Sequence, residues 1–408
     1  MNTSYFFTEL DPRAAIKGSR DPLGSQAVWA GLGRELIGNL TTVTSSVRNF
    51  TTLLVGLHLA ELAENHADRS PEQAFLVWEQ LAGYTRHCFH GTRGLLGYRK
   101  VAARTQRGEA TLSAESEGQI LGNQKAYGLW GLYTSAARSS GLVARGTPTR
   151  LSDAGRRLIA EHHLPALAKG WGRDATELVA LARRDGTRLS IRRNDDRLKA
   201  LATMLDPVLT PAEKEAYRTY LVDGGPDDAT GGRQRGLAAT MCAARSHDPR
   251  VLRADAGVDI ATRLARITAA ESVLAPAGAL FGYLLTQDDR RLDKVALDLR
   301  RTWGDALDSV HGAAARVLAG TWSDVAQSLA TGEYETSLRL LLRHNRDVMA
   351  ERAGSDAWAT TSEDGRLRVR FRDDTGDLPD RDEVRTLWRN PYFFPSLWGI
   401  LADLGDVA

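Results

Sequence analysis

The chain has 408 residues, 42% of them apolar, with 53 Lys and Arg against 51 Asp and Glu for a formal charge of +2. That length supports two or three cores rather than one. The near balance of charge excludes a uniformly basic coat, so any surface for nucleic acid must be local. Two cysteines, Cys88 and Cys242, make neither a disulfide framework nor a zinc site alone, which fits a reducing cytoplasm. The opening MNTSYFFTELDPR lacks the basic start and apolar core of a secretion signal, so the expected location is cytoplasmic.

From Gln26 to His66, Val28, Leu32, Leu36 and Leu40, then Phe50, Leu53, Leu54, Leu57, Leu59 and Leu62, follow the helical repeat of three and four, predicting two helices. The joint NLTTVTSSVRNFTT is β-branched and polar, which leaves a strand or an irregular turn open there. Ser70 and Pro71 open the next helix, which carries Phe75, Leu76, Trp78, Leu81 and Tyr84 as core. The glycine-broken stretch that follows holds Arg86, Arg93, Arg99, Lys100, Arg104 and Arg107 and reads as a basic loop.

Gln119 to His163 follows a distinct order: an amphipathic helix, a Gly141-Leu142-Val143 exit, a short turn with Gly146 and Pro148, then a helix opened by Ser152. Leu158 and Ile159 return that last helix to the core. The arrangement resembles the winged-helix superfamily, which serves both DNA reading and protein contact. On its first helix Asn123, Gln124, Lys125, Tyr127, Tyr133, Ser135, Arg138 and Ser139 are the candidate recognition residues. Arg145, Thr147 and Arg150 decorate the wing. Leu129, Trp130 and Leu132 make that helix unusually apolar, which suits protein contact equally well.

Residues 164–221 give further helices, one capped by Thr210 and Pro211 with Tyr217, Tyr220 and Leu221 inward. DGGPDDATGGRQRG, residues 223–236, has no large apolar side chain and reads as a linker. Helical period dominates 237–349, and the apolar runs Leu53–Leu62 and Val273–Leu285 read as buried helices too short or interrupted to span a bilayer. The tail alternates at period two around Asp364 and Gly365, predicting a β-hairpin, before an aromatic helical segment over 381–404 broken by Pro391 and Pro395. The expected fold class is mainly α: a multi-domain helical protein with an internal winged helix and a C-terminal β-hairpin. Its expected parts are 1–115 helical, 116–165 winged helix, 166–222 helical extension, 223–236 linker, 237–352 helical, and 353–408 hairpin with aromatic tail.

In the tail, Arg366, Arg368, Arg370 and Arg372 alternate with Leu367, Val369 and Phe371, which on a strand sets guanidinium groups about 7 Å apart. Phosphates along a nucleic-acid strand have similar spacing. The competing reading is an exposed strand neutralised by Glu363, Asp373, Asp374 and Asp377. A second cluster, Arg183 to Lys199, is interspersed with Asp185, Asp195 and Asp196 and reads as a solvated face. Arginine supplies almost all the basic charge, a bias that suits bidentate phosphate contacts and that a GC-rich genome also produces.

His87, Cys88 and His90 lack a matching zinc pair, His58, Glu61, Glu64 and His66 lack an HExxH spacing, and no phosphate-binding loop or nucleophile elbow is present. No metal, cofactor or catalytic residue is assigned. Asp21, Pro22, Leu23 and Gly24, with Leu40, Thr41 and Thr42, resemble uncharacterised bacterial proteins encoded beside DNA-modification and phage-defence genes. That resemblance implies a subunit of a multi-protein defence system whose enzymes are other chains. The expected function is therefore non-catalytic engagement of nucleic acid, DNA favoured over RNA, with other protein subunits as partners and no membrane. The candidate contacts are Asn123, Lys125, Arg138, Arg145, Arg150, Arg366, Arg368, Arg370 and Arg372. The alternative is a helical scaffold or adaptor that never touches nucleic acid; an enzyme with an unrecognised site around His58, His87 or His90 is the remaining class.

Overall fold

The computed structural model describes residues 21–64, 70–172, 175–184, 186–310, 312–352, 356–372 and 376–407. The opening segment, His66, Asp185, Asp373 and Asp374 lie outside the described residues. The described protein is mainly helical, with two small antiparallel sheets of which one is a C-terminal hairpin. Contacts divide the chain into a smaller unit, residues 1–33 with 261–392, and a larger one, 34–260 with 393–408. The stretch read as a linker, 223–236, falls inside the larger unit. Its aspartates and glycines make turns instead: Asp228 accepts from Thr230 and Gly232, and the Gln234 side chain is fully buried against Asn39 and the Leu221 carbonyl.

The first described helix, α1 (Ser25–Arg34), is capped by Asp21, whose carboxylate accepts from the Ser25 and Gln26 amides. The larger unit is organised on α2 (Val47–Glu64), which is buried over almost its whole circumference. Apolar residues lie on every face, so neighbours cover it from all sides. Against it packs α3 (Pro71–His90), opened by the expected Ser70 and closed into a capping box by Gln73. Gly56 permits the close crossing, since a Cβ there would come within 2.5 Å of Trp78. The Trp78 indole N–H donates to the Thr52 carbonyl.

The stretch read as a basic loop contains α4 (Tyr98–Thr105) and β1 (Glu109–Leu112). After α5 (Gln124–Tyr127), α6 (Leu129–Ser139), α7 (Asp153–His162), α8 (Leu164–Trp171) and α9 (Thr176–Arg183) comes β2 (Thr187–Ser190). It pairs antiparallel with β1, placing Thr111 opposite Arg188. The chain continues through α10 (Asp196–Met204), α11 (Pro211–Tyr217), α12 (Arg233–Ala244) and α13 (Pro249–Leu252). Thr210 and Glu213 form a capping box on α11, with Pro211 at its first position as expected.

Polar side chains on the first turns of α2 are matched one by one. Arg48 pairs with buried Glu213 at 2.5 Å. Asn49 donates to the Tyr133 hydroxyl, and the Thr51 hydroxyl lies 2.7 Å from that of Tyr217. His163 Nε2 is 3.0 Å from the same Tyr217 hydroxyl. Burial would push the Glu213 carboxyl up, but hydrogen bonding and the Arg48 charge outweigh it and hold the group below its ordinary value. Burial pushes His163 down, against the attraction of Glu213, so its imidazole is neutral in the fold. Unfolding frees it to protonate, so acidification below about pH 6.5 draws the equilibrium toward the unfolded chain. The expected result is that between pH 6.5 and 5 the urea midpoint of H163Q rises relative to that of the parent, because the variant lacks this pH-linked loss.

The smaller unit takes most of α14 (Val258–Leu284), with α15 (Leu292–Trp303), α16 (Ala314–Val317), α17 (Thr321–Ala330) and α18 (Tyr334–Glu351). The apolar run seen at Val273–Leu285 belongs to this longer helix, which by length and composition alone could cross a membrane; 72% of its apolar window is buried in the protein. The hairpin pairs β3 (Ala359–Thr361) with β4 (Leu367–Val369) around Gly365, whose φ is +76°. The closing segment then splits, as its prolines require, into α19 (Arg381–Thr386) and α20 (Phe394–Leu404), the latter in the larger unit.

Within the smaller unit Glu271 of α14 is 1% exposed. Its carboxylate accepts from the Arg389 and Asn390 amides, the Asn390 side chain and the Tyr392 hydroxyl. One buried acid thus anchors the extended run after α19. E271A should cost on the order of 3 kcal/mol in chemical denaturation, because four donors lose their acceptor in a dry site.

Candidate nucleic-acid interface

The helix expected over 119–139 is two helices parted at Gly128. The break has a local cause: Glu79 of α3 is buried and accepts the Leu129 amide at 2.7 Å and the Gln124 side-chain amide at 2.8 Å. A Cβ at Gly128 would lie 2.6 Å from that carboxylate. Asn123 is the N-cap of α5, accepting from the Ala126 amide, and Gln124 is fully buried, tied also to Gln80 and the Ile120 amide. Tyr133 is core. Trp130 stacks edge-on to Phe75 at 5.1 Å, while Tyr127 is 55% exposed.

The turn between α6 and α7 is a very short hairpin. Val143 and Leu151 make a single antiparallel bridge, flanked by the Ala144 amide donating to Arg150 and the Ser152 amide donating to Leu142. Ser152 caps α7 by accepting from the Gly155 amide, and Leu158 and Ile159 are buried as expected. Gly155 allows close approach, since a Cβ there would sit 2.2 Å from the Leu142 carbonyl oxygen.

The predicted contact residues here have other occupations. Arg138 donates to the carbonyls of Ala144 and Gly146 and holds the turn. Arg145 pairs with Asp227 at 2.9 Å, Arg150 with Glu64 at 2.8 Å, and Lys125 with Glu72 at 3.6 Å.

The tail arginines are neutralised. Arg366 pairs with Asp289 and Asp364, Arg368 with Asp289, Arg370 with Asp356, and Arg372 with Asp288. The four do not share one strand, because β4 ends at Val369. The compensating acids come chiefly from Asp288 and Asp289, which follow α14 and are remote in sequence from the hairpin.

Exposed cationic charge without a carboxylate partner gathers elsewhere in the larger unit. Among the described residues Arg93, Arg99, Lys100, Arg107, Arg188, Arg192 and Arg193 are exposed and none has an acid within ion-pairing distance. The β1–β2 ladder draws two of these segments together, and the Ile191 amide extends it by donating to Gly108. The Arg193 guanidinium donates to the Cys88 carbonyl, tying the turn after β2 to the end of α3. Arg107 and Arg188 face one another across an open groove of about 390 Å³ that Arg104, Glu109 and Glu117 also line. Arg104 is committed to the Tyr84 hydroxyl and the carbonyls of Glu117 and Gly118. This face is hard to see in sequence because β1 and β2 are four residues each and their paired residues Thr111 and Arg188 lie 77 positions apart. Arg197 and Lys199, from the same cluster, are paired with Glu177 and Asp196 and remain an ordinary solvated face.

No three His, Cys, Asp or Glu side chains gather as metal ligands among the described residues. His90 Nε2 donates to the Ala202 carbonyl.

Burial pushes the Glu79 carboxyl up to about 7, against hydrogen bonds from the Leu129 amide and Gln124. The folded chain then retains a proton that the unfolded chain releases above about 4.5, so this group lowers stability as pH rises from 4.5 to 7. E79Q should flatten that part of the stability profile. E79A should instead cost on the order of 1 to 3 kcal/mol at every pH, having stranded the α6 amide. No family model, curated protein or solved structure matches the chain.

Proposed function

We propose that the protein engages nucleic acid without catalysis, gripping the phosphate backbone through the exposed arginines of residues 93–107 and 188–193. The observation that carries this reading is the contrast in ion pairing. The tail arginines already face Asp288, Asp289, Asp356 or Asp364, so a phosphate must displace an acid to reach them. Arg93, Arg107, Arg188 and Arg192 are exposed with no acid within ion-pairing distance among the described residues, although Glu109 and Glu117 line the groove with Arg107 and Arg188. Arginine forks of this kind bind phosphate oxygens bidentately, and several together give salt-sensitive affinity.

The turn from Gly141 to Ser152 is consistent with a winged-helix module. With Gln124 and Tyr133 buried and Arg138 holding the turn, that module has few side chains left for base edges. The reading therefore favours backbone contact over base readout, within a complex whose other subunits supply any chemistry. The exposed rings of Tyr98 (47%) and Tyr127 (55%) support a second reading, a scaffold that grips partner proteins.

Fluorescence anisotropy with labelled duplex, single-stranded DNA and RNA over a salt series decides between them. Binding should weaken steeply with salt, and R107Q/R188Q should reduce the salt slope by about 2, one per lost phosphate contact. R368Q/R370Q should leave both affinity and slope unchanged. Absence of binding at low salt would give the protein to the scaffold reading.

A further inference from the structure

A separate cavity of about 420 Å³ opens in the larger unit at the N-terminal end of α2, within the size range of small-ligand pockets, about 300 to 1,000 Å³. Arg48, Arg86, Arg93 and Lys214 line it, with His90, and Asp403 is its one lining carboxylate. Arg86 is 7% exposed, and no acid lies within ion-pairing distance of it among the described residues. Its guanidinium donates to Asn49 Oδ1 and to the Arg93 carbonyl, both neutral acceptors. Arg48 is already held by Glu213, and the Asp403 carboxylate accepts the Val47 amide at 2.9 Å.

The balance of charge in this half-open cavity is uneven. Isolated buried guanidinium groups are costly unless an anion meets them. Desolvation pulls Arg86 down to about 10; Tyr133 and the Asp403 charge act against that shift, and the Arg48 charge acts with it. With Arg48 neutralised by Glu213, three cationic side chains, Arg86, Arg93 and Lys214, remain for a space with one lining acid, and that acid is engaged at a helix terminus. More donors meet there than one carboxylate can accept, whereas a phosphate monoester offers three terminal oxygens and close to two negative charges.

We propose that this cavity binds a phosphomonoester, with Arg86 at its base and Arg93 and Lys214 at its mouth. Two sources share that chemistry: a free nucleotide, and the 5′-phosphorylated end of a strand whose backbone continues past Arg93. The inference does not depend on the backbone grip proposed above.

The test is isothermal titration calorimetry on the full chain with inorganic phosphate, AMP, and a short oligonucleotide with and without a 5′-phosphate. At least one phosphate-bearing probe should bind, and R93A/K214A should weaken it at least tenfold while unfolding at the same temperature. Both side chains are outside the core, so this variant avoids the folding defect that replacing Arg86 risks. R368Q should bind as the parent does. Preference for AMP would identify a nucleotide site, and preference for the phosphorylated oligonucleotide over its hydroxyl twin a strand-end site. Equal binding of the two oligonucleotides with no binding of phosphate or AMP would overturn the inference while leaving the backbone grip intact. Undiminished phosphate binding by R93A/K214A would overturn it as well. Phosphate or AMP binding without oligonucleotide binding would uphold it and remove the backbone grip.

Discussion

A helix buried on every side must either be wholly apolar or find a partner for each polar group it carries. In this protein α2 takes the second course, and the larger unit is arranged accordingly. Arg48 meets Glu213 of α11, Asn49 meets Tyr133 of α6, Thr51 meets Tyr217, and the Thr52 carbonyl receives Trp78 of α3. Asp403 of α20 accepts the amide of Val47 at the helix start. The partners come from α3, α6, α11 and α20, so the matching specifies which elements surround α2 as well as stabilising them. Removing any one partner leaves a stranded polar group in a dry environment, which is why the network is expected to be all or nothing.

The same helix positions the chemistry. Its N-terminal turn carries Arg48, and the α3 face that packs on it carries Arg86, so two guanidinium groups are brought into one enclosed wall. The α3 residue that parts α5 from α6, Glu79, sits nearly two turns earlier on that helix. Stability and function therefore pull on shared elements. Buried Glu79 is held above the ordinary carboxylate range, where desolvation outweighs its hydrogen bonds, and buried His163 below the ordinary imidazole range, where desolvation outweighs the attraction of Glu213. Ionisation of either works against the fold, from opposite ends of the pH scale.

Charge that looks alike in sequence divides sharply in space. The tail's alternating arginines have the more regular pattern, yet Asp288 and Asp289 after α14, with Asp356 and Asp364, neutralise them. The irregular run from Arg93 to Arg107 has no period at all, yet β1–β2 pairing joins it to Arg188 and leaves the combined face unpaired among the described residues. Surface ion pairs are individually weak, but they set which cations are available to a polyanion.

Local signals were legible from sequence: the helix starts at Ser70-Pro71 and Thr210-Pro211, the Gly141 and Ser152 boundaries, the Asp364-Gly365 turn, and the core positions Phe75, Trp78, Leu158 and Ile159. These depend on interactions within a few residues, which amino-acid order states directly. Sequence also established a mainly helical protein, through hydrophobic period. Tertiary structure alone decided that 223–236 folds into a unit rather than joining two, because the decisive contact, Gln234 with Asn39, spans 195 positions. It alone placed Gln124 in the core and broke the helix at Gly128, since the cause, Glu79, lies on another helix. It alone separated paired arginines from unpaired ones. Charge compensation depends on distance through space, and a linear pattern of like residues carries no record of the acids that the fold brings to meet them.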